Sequence, residues 1–206
     1  GFGSIRSFNE GVRMAFARTP SQLRALARAR MRPGARPAAA ASLSGTQALA
    51  RIDVRLAHRT PLAAGPLLGH LVATAVPGVE EWRDGAYRRT LRLPHGPGIA
   101  ALRPAEGHVA ASLWLCDPRD LTPAIGRCRR LLDLDADPQA IDEALGGDPA
   151  LAPLIAAGPG ARIPRTVDAA ELAVRVVLGQ QVSTAAAATS TGRLVATLGE
   201  RIDDPD

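Results

Sequence analysis

The sequence predicts an α+β fold: an antiparallel sheet with helices on one face, a short basic helical piece before it and a run of helices after it. Three observations carry this. Between residues 51 and 118, short apolar stretches alternate with two-residue turn signals, the mark of a strand meander. After Pro118, capping residues followed by apolar positions at helical spacing replace that alternation. In residues 1–36, eight arginines face a single acid, Glu10, a net charge of +7, whereas the remainder of the chain sums to −2.

The elements follow in order. In "SIRSFNEGVRMAF", Ser4 is the N-cap and Ile5, Phe8, Val12 and Phe16 form one apolar helical face, with Arg6, Asn9, Glu10 and Arg13 on the others. "RTPSQLRALARARMR" opens on Thr19 as cap and Pro20 at the first helical position. Residues 1–32 thus form one basic helical unit, and residues 33–50, rich in Pro, Gly, Ser and Ala, read as a linker. "RIDVRLAHRT" is a strand with Ile52, Val54 and Leu56 on one side. "PLAAGPLLGHLVATAV" is a helix that Gly65-Pro66 should break. Strands then turn at Asp84-Gly85, at His95–Gly98 and at Glu106-Gly107, with Tyr87, Leu91, Leu93, Ile99, Leu102, Val109, Leu113 and Leu115 as apolar positions. This sheet unit spans 51–118, and a helical unit spans 119–206. Asp137-Pro138 and Asp148-Pro149 each announce a helix start. "PGARIPRTVD" is a loop, "AAELAVRVVL" a helix that Gly179 stops, and Ser183 caps the helix after it. Asp137 and Asp168 read as helix caps, and Asp203, Asp204 and Asp206 as a frayed end.

Composition narrows the chemistry. Hydrophobic residues make up 46%, enough for a real core, and aromatics only 3%, so Leu, Val, Ile and Ala must fill it. No apolar run approaches the ~20 residues of a membrane span, and the opening "GFGSIRSFNE" lacks the pattern of a signal peptide, so a soluble, cytoplasmic protein is expected. Cys116 and Cys128 are too few for a disulfide framework or a four-ligand zinc site. Cys128 lies between Arg127 and Arg129: it is either a thiol activated by positive charge or a half-buried helix residue. All 25 basic residues are arginine, so no lysine is present to form a Schiff base. Neither a metal nor a cofactor is expected.

The candidate site is the corner "LGQQVS". Gln180 and Gln181 follow a helix-ending glycine, and Val182 leads into the Ser183 cap. They are either a polar connector or amides projected from a rigid corner. Amides donate to and accept from base edges and can fill a gap in a stacked duplex.

Three stretches, "AVPGVEEWRDGAYRRTLRLPHGPGIAAL", "LLDLDADPQAIDEALG" and "GARIPRTVDAAELAVRVVLGQQVS", together resemble the bacterial 3-methyladenine DNA glycosylase II family over about residues 51–206. The resemblance implies a TATA-binding-protein-like sheet domain, then a helical domain that carries a helix-hairpin-helix. It implies that Gln180, Gln181, Val182 and Ser183 contact the minor groove of double-stranded DNA. Gln181 stands where the family places the wedge that fills the space of the flipped base; leucine is common there, so a glutamine would fill it with an amide. His70 matches a position where an aromatic lines the base pocket, although a solvated or core histidine is an equal reading. The catalytic aspartate and the hairpin would come after residue 206. The chain is therefore expected to be a fragment, inactive alone, of an enzyme that hydrolyses the N-glycosidic bond of alkylated purines.

"GFGSIRSFNEGVRMAFARTPSQLR" resembles instead the end of an AraC-type helix-turn-helix, with Ala17 where a glycine is common. That implies base contacts from Arg6 and Arg13 to guanine and from Asn9 to adenine, and a first helix preceding Gly1. Two alternatives to the glycosylase follow: an AraC-type regulator of an alkylation response, and an arginine-rich domain that binds DNA phosphates alone.

Overall fold

The structure is a computed structural model and describes residues 4–16, 19–22, 25 and 49–204. Helix α1 (Ile5–Phe16) opens the chain. The Ser4 hydroxyl accepts from the Ser7 N–H at 3.1 Å, as a cap should. Thr19 and Gln22 cap each other reciprocally: the Thr19 N–H donates to Gln22 Oε1 (2.8 Å) and the Gln22 N–H to Thr19 Oγ1 (3.2 Å). The linker expected over residues 33–50 lies outside the described residues except at residues 49 and 50, and Ala17 lies outside them too.

Five antiparallel strands follow: β1 (Ala50–Ala57), β2 (Glu80–Arg83), β3 (Ala86–Leu93), β4 (Gly96–Ala105) and β5 (His108–Leu115), in the order β1-β5-β4-β3-β2. The β2–β3 turn is Asp84-Gly85, with φ of 52° and 72°, the left-handed pair that a tight hairpin demands. Between β3 and β4 the turn is Pro94-His95, closed by the Leu93–Gly96 pair. Gly98, expected in that turn, lies inside β4. A Cβ there would stand 2.9 Å from Leu93 Cδ1 and 3.0 Å from the Trp114 carbonyl, so this glycine serves close packing and not chain reversal.

One face of the sheet carries the core. Val54, Leu56, Leu91, Leu102, Val109, Leu113 and Leu115 meet Leu67, Leu68 and Leu71 of α2 (Ala64–Ala73) and Ala124, Cys128 and Leu131 of α3 (Leu121–Leu131). Each buried leucine removes a side chain worth about 1.5–3 kcal/mol from water. Gly65-Pro66 does not break α2 but begins it, because a proline in the first turn lacks an N–H that would have no partner there. On the opposite face the guanidinium groups of Arg51 and Arg88 each lie 5.1 Å from the Trp114 ring centroid.

Helices α4 (Pro138–Gly146), α5 (Ala152–Ala157), α6 (Ala169–Leu178) and α7 (Thr184–Leu198) follow among the described residues. Asp137 caps α4 as expected, accepting from the Ala140 N–H at 3.3 Å. Asp148 does not start a helix: its side chain accepts from the Ala150 N–H (2.8 Å) in a turn, and α5 begins four residues later. Asp204 is not frayed. It bridges Arg83 (2.6 Å) and the buried Arg88 (2.7 Å), which fastens the end of the described chain to the outer sheet face.

Candidate nucleic-acid interface

The site is built from α6, α7 and the corner between them. Asp168 starts α6, accepting from the N–H groups of Ala170 (2.8 Å) and Glu171 (3.0 Å). Those bonds, that of Glu171 first, hold the Asp168 carboxyl below its ordinary range against the opposing effect of burial. At the far end the Gly179 N–H donates to the Arg175 carbonyl at 2.9 Å, and a Cβ on Gly179 would stand 3.0 Å from that oxygen. Ser183 then caps α7 through its hydroxyl, which accepts from the Ala186 N–H at 3.2 Å.

The two glutamines between these caps differ. Gln180 folds back, its amide donating to the Val176 carbonyl at 3.2 Å, and so helps to satisfy the end of α6. Gln181 adopts φ 58°, the left-handed region that an L-residue with a Cβ enters at a cost. Its side chain is exposed, as are those of Val182 and Ser183. The corner thus projects one amide from a locally strained backbone, with Val182 half exposed beside it.

Sequence reasoning missed what holds this corner in place. Glu80, at the start of β2, has a side chain 4% exposed and accepts four hydrogen bonds. They come from the Val76 N–H (2.9 Å), Tyr87 Oη (2.6 Å), Arg89 (3.0 Å) and Arg175 (2.7 Å). Glu171 joins the same cluster, with Arg89 at 2.7 Å and Arg175 at 2.6 Å. Burial opposes the charge of Arg89, but Tyr87, Glu171 and Glu80 outweigh it and its pKa is raised. Burial, reinforced by the Glu80 carboxylate, pushes the Tyr87 phenol well above its usual range and keeps it a donor. The sequence signal was a charged residue in register with the core: Arg89 lies on the same strand face as Tyr87 and Leu91, paired with Glu80 of β2.

The other candidates are placed as follows. Arg6, Asn9 and Arg13 are exposed on α1 and share one face, spaced three and four residues apart. His70 is exposed on α2, and its carbonyl accepts from the Thr74 N–H at 3.1 Å. No hydrogen bond or ion pair among the described residues joins His70 to the glutamine corner. Cys128 is buried, and desolvation pushes its thiol up to about 12; Arg129 pairs with Asp135 instead of activating it. Among the described residues no group of three or more His, Cys, Asp and Glu is arranged to hold a metal ion. No helix among them is long and apolar enough to cross a membrane.

The sheet and the helices around it share their fold with about half of each of two solved DNA glycosylases. A 3-methyladenine DNA-glycosylase from Archaeoglobus fulgidus superposes with a TM-score of 0.63 at 16% identity, covering 74% of this chain and 52% of that one. MBOgg1, solved with a low-affinity DNA ligand, superposes with a TM-score of 0.53 at 20% identity, covering 80% of this chain and 50% of its own. The chain belongs to the AlkA N-terminal domain family, whose model matches residues 53–168. It is 56% identical over 204 residues to the probable bifunctional transcriptional activator/DNA repair enzyme AlkA of Mycobacterium tuberculosis, in both strains CDC 1551 / Oshkosh and H37Rv, covering 99% of this chain and 39% of the relative. It is 39% identical over 142 residues to DNA-3-methyladenine glycosylase 2 of Escherichia coli K12, covering 67% of this chain and 48% of the relative. The chain therefore spans less than half the length of the curated relatives it matches.

Proposed function

We propose that this chain is the lesion-engaging part of a DNA glycosylase that excises alkylated purines such as 3-methyladenine from double-stranded DNA in the cytoplasm. The exposed, left-handed Gln181 between two capped helices is the observation that carries this reading. In it, the corner of Gln180, Gln181, Val182 and Ser183 enters the minor groove, and Gln181 occupies the space left by the flipped base. His70 contributes to the base pocket. Residues 51–118 form the sheet unit, 119–206 the helical unit, 1–32 the helix-turn-helix portion and 33–50 the connection.

The bond broken joins the base nitrogen to C1′, with water adding at C1′. The developing positive charge on the sugar calls for a carboxylate. Asp137 and Asp168 are occupied as helix caps and Asp204 by two arginines, so these three are already engaged within the fold. The relatives named as DNA repair enzyme and glycosylase support the same reading.

The test is base release from alkylated duplex. The full-length protein should liberate 3-methyladenine, its Gln181→Ala variant should do so more slowly, and the 206-residue chain alone should release none. No release by the full-length protein would overturn the proposal. A second role, sequence-specific regulation through α1, is favoured by the shared exposed face of Arg6, Asn9 and Arg13 and by the relatives named as transcriptional activators. Selection of a defined operator, lost on Arg13→Ala, would bear it out.

A further inference from the structure

Helix α6 leads directly into the glutamine corner, yet none of its residues is buried among the described residues. Leu172, Val174, Val176 and Val177 are 42–70% exposed. Packed apolar side chains therefore do not fix its rotation against the sheet. Charge does: Arg89 of β3 reaches Glu171, and Glu80 of β2 reaches Arg175. One nitrogen of Arg175, Nη2, touches both carboxylates, Glu80 at 2.7 Å and Glu171 at 2.6 Å. Through its backbone the same residue holds Gly179, since the Arg175 carbonyl accepts the N–H that ends the helix.

We propose that Arg175 is a positioning residue: it locks the last turn of α6 to the buried Glu80–Tyr87–Arg89 cluster and thereby sets where Gln181 is presented to DNA. The inference rests on the wedge reading of Gln181. Its physical basis is the directionality of a buried ionic cluster. Such a cluster contributes little net stability beyond a well-packed apolar replacement, because each ion costs several kcal/mol to desolvate. Its hydrogen bonds nevertheless have fixed geometry, so it selects one helix rotation where apolar contact would accept several. Removing Arg175 leaves Glu80 with three of its four donors, Val76, Tyr87 and Arg89. The sheet core and the Arg89–Glu171 pair survive, and the tie that holds the last turn of the helix is lost.

The experiment uses the full-length protein carrying Arg175→Met, Gln181→Ala or both, and compares its affinity for a duplex containing an abasic-site analogue with that for the intact duplex. A 2-aminopurine next to the analogue reports insertion into the stack. Arg175→Met should lower the preference for the analogue about tenfold while affinity for intact duplex stays within about twofold. The double variant should be no worse than Gln181→Ala alone, because Arg175 acts through Gln181. A merely structural role would instead add its loss to that of Gln181→Ala, which would overturn the proposal, as would an unchanged preference in Arg175→Met. If Arg175→Met does not fold, Glu171→Gln, which removes one carboxylate from the same nitrogen, is read by the same criteria. A Gln181→Ala variant with undiminished preference would sink the wedge reading itself, and the proposal with it.

Discussion

Replacing Gln181 by glycine should move stability and function in opposite directions. At φ 58° the residue occupies left-handed space, where a Cβ costs about 1–2 kcal/mol. Glycine removes that cost but loses about 0.5–1 kcal/mol through its greater freedom in the unfolded chain. The net gain is about 0.5–1 kcal/mol, or roughly 1–4 °C in melting temperature for a chain of this size. The side chain removed is exposed, so no packing loss offsets the gain. Thermal melting followed by circular dichroism checks the first half, and abasic-duplex affinity checks the second, where the preference should fall about tenfold. Evolution keeps strain of this kind where function demands it. A lower melting temperature in Gln181→Gly, with DNA preference intact, would refute the reasoning and reduce the corner to a connector that its own side chain stabilises.

Asp168→Ala should destabilise the protein by about 1 kcal/mol at neutral pH, while Asp168→Asn, which retains a capping oxygen, should cost less. Because the folded carboxyl is depressed, the wild-type advantage is present above the unfolded value of about 3.9 and lost as pH falls through the folded one. Urea unfolding at pH 7 and pH 3 should show the gap between wild type and Asp168→Ala closing at the lower pH. Gly160→Ala should cost more than about 2 kcal/mol in a thermal melt, since its φ is 74° and a Cβ would stand 2.5 Å from the Pro61 carbonyl oxygen. Cys128, with its thiol at about 12 and 1% exposed, should resist a disulfide reagent at pH 8 in the native protein and react only on unfolding.

The parts of the fold that rest on local chemistry were legible in the sequence. Ser4, Thr19, Asp137, Asp168 and Ser183 all cap the elements they announce, because a capping side chain answers N–H groups two or three residues away. Misreadings arose where a local rule had two outcomes. Gly65-Pro66 can end a helix or begin one, and Asp148-Pro149 can open a helix or a turn. At the site, local signals located the corner but not its support. Glu80 and Arg175 are separated by 95 residues, and no spacing rule joins them. The left-handed Gln181 was equally hidden, since nothing in its side chain calls for that conformation. Asp204 reads as a frayed end in the sequence because its partners, Arg83 and Arg88, lie 121 and 116 residues away.

The long-range contacts also give the loop "PGARIPRTVD" a structural role. Gly160 accepts from the Ala63 N–H at 3.0 Å and donates to Asp142 at 3.1 Å. The buried Arg162 donates to the carbonyls of Arg59 (2.9 Å) and Pro61 (3.2 Å). Val167 enters the main core and Asp168 caps α6. Each of these groups makes its contact within the fold. The loop joins the end of β1 and the start of α2 to the root of α6, and the Glu80 cluster joins β2 and β3 to its tip. The helix is therefore held near both ends by polar contacts while its apolar residues stay exposed. A helix anchored in this way keeps its axis and its rotation without burying its own face, so under the proposed function the corner beyond it would meet DNA as a preorganised edge whose ordering cost was met in folding.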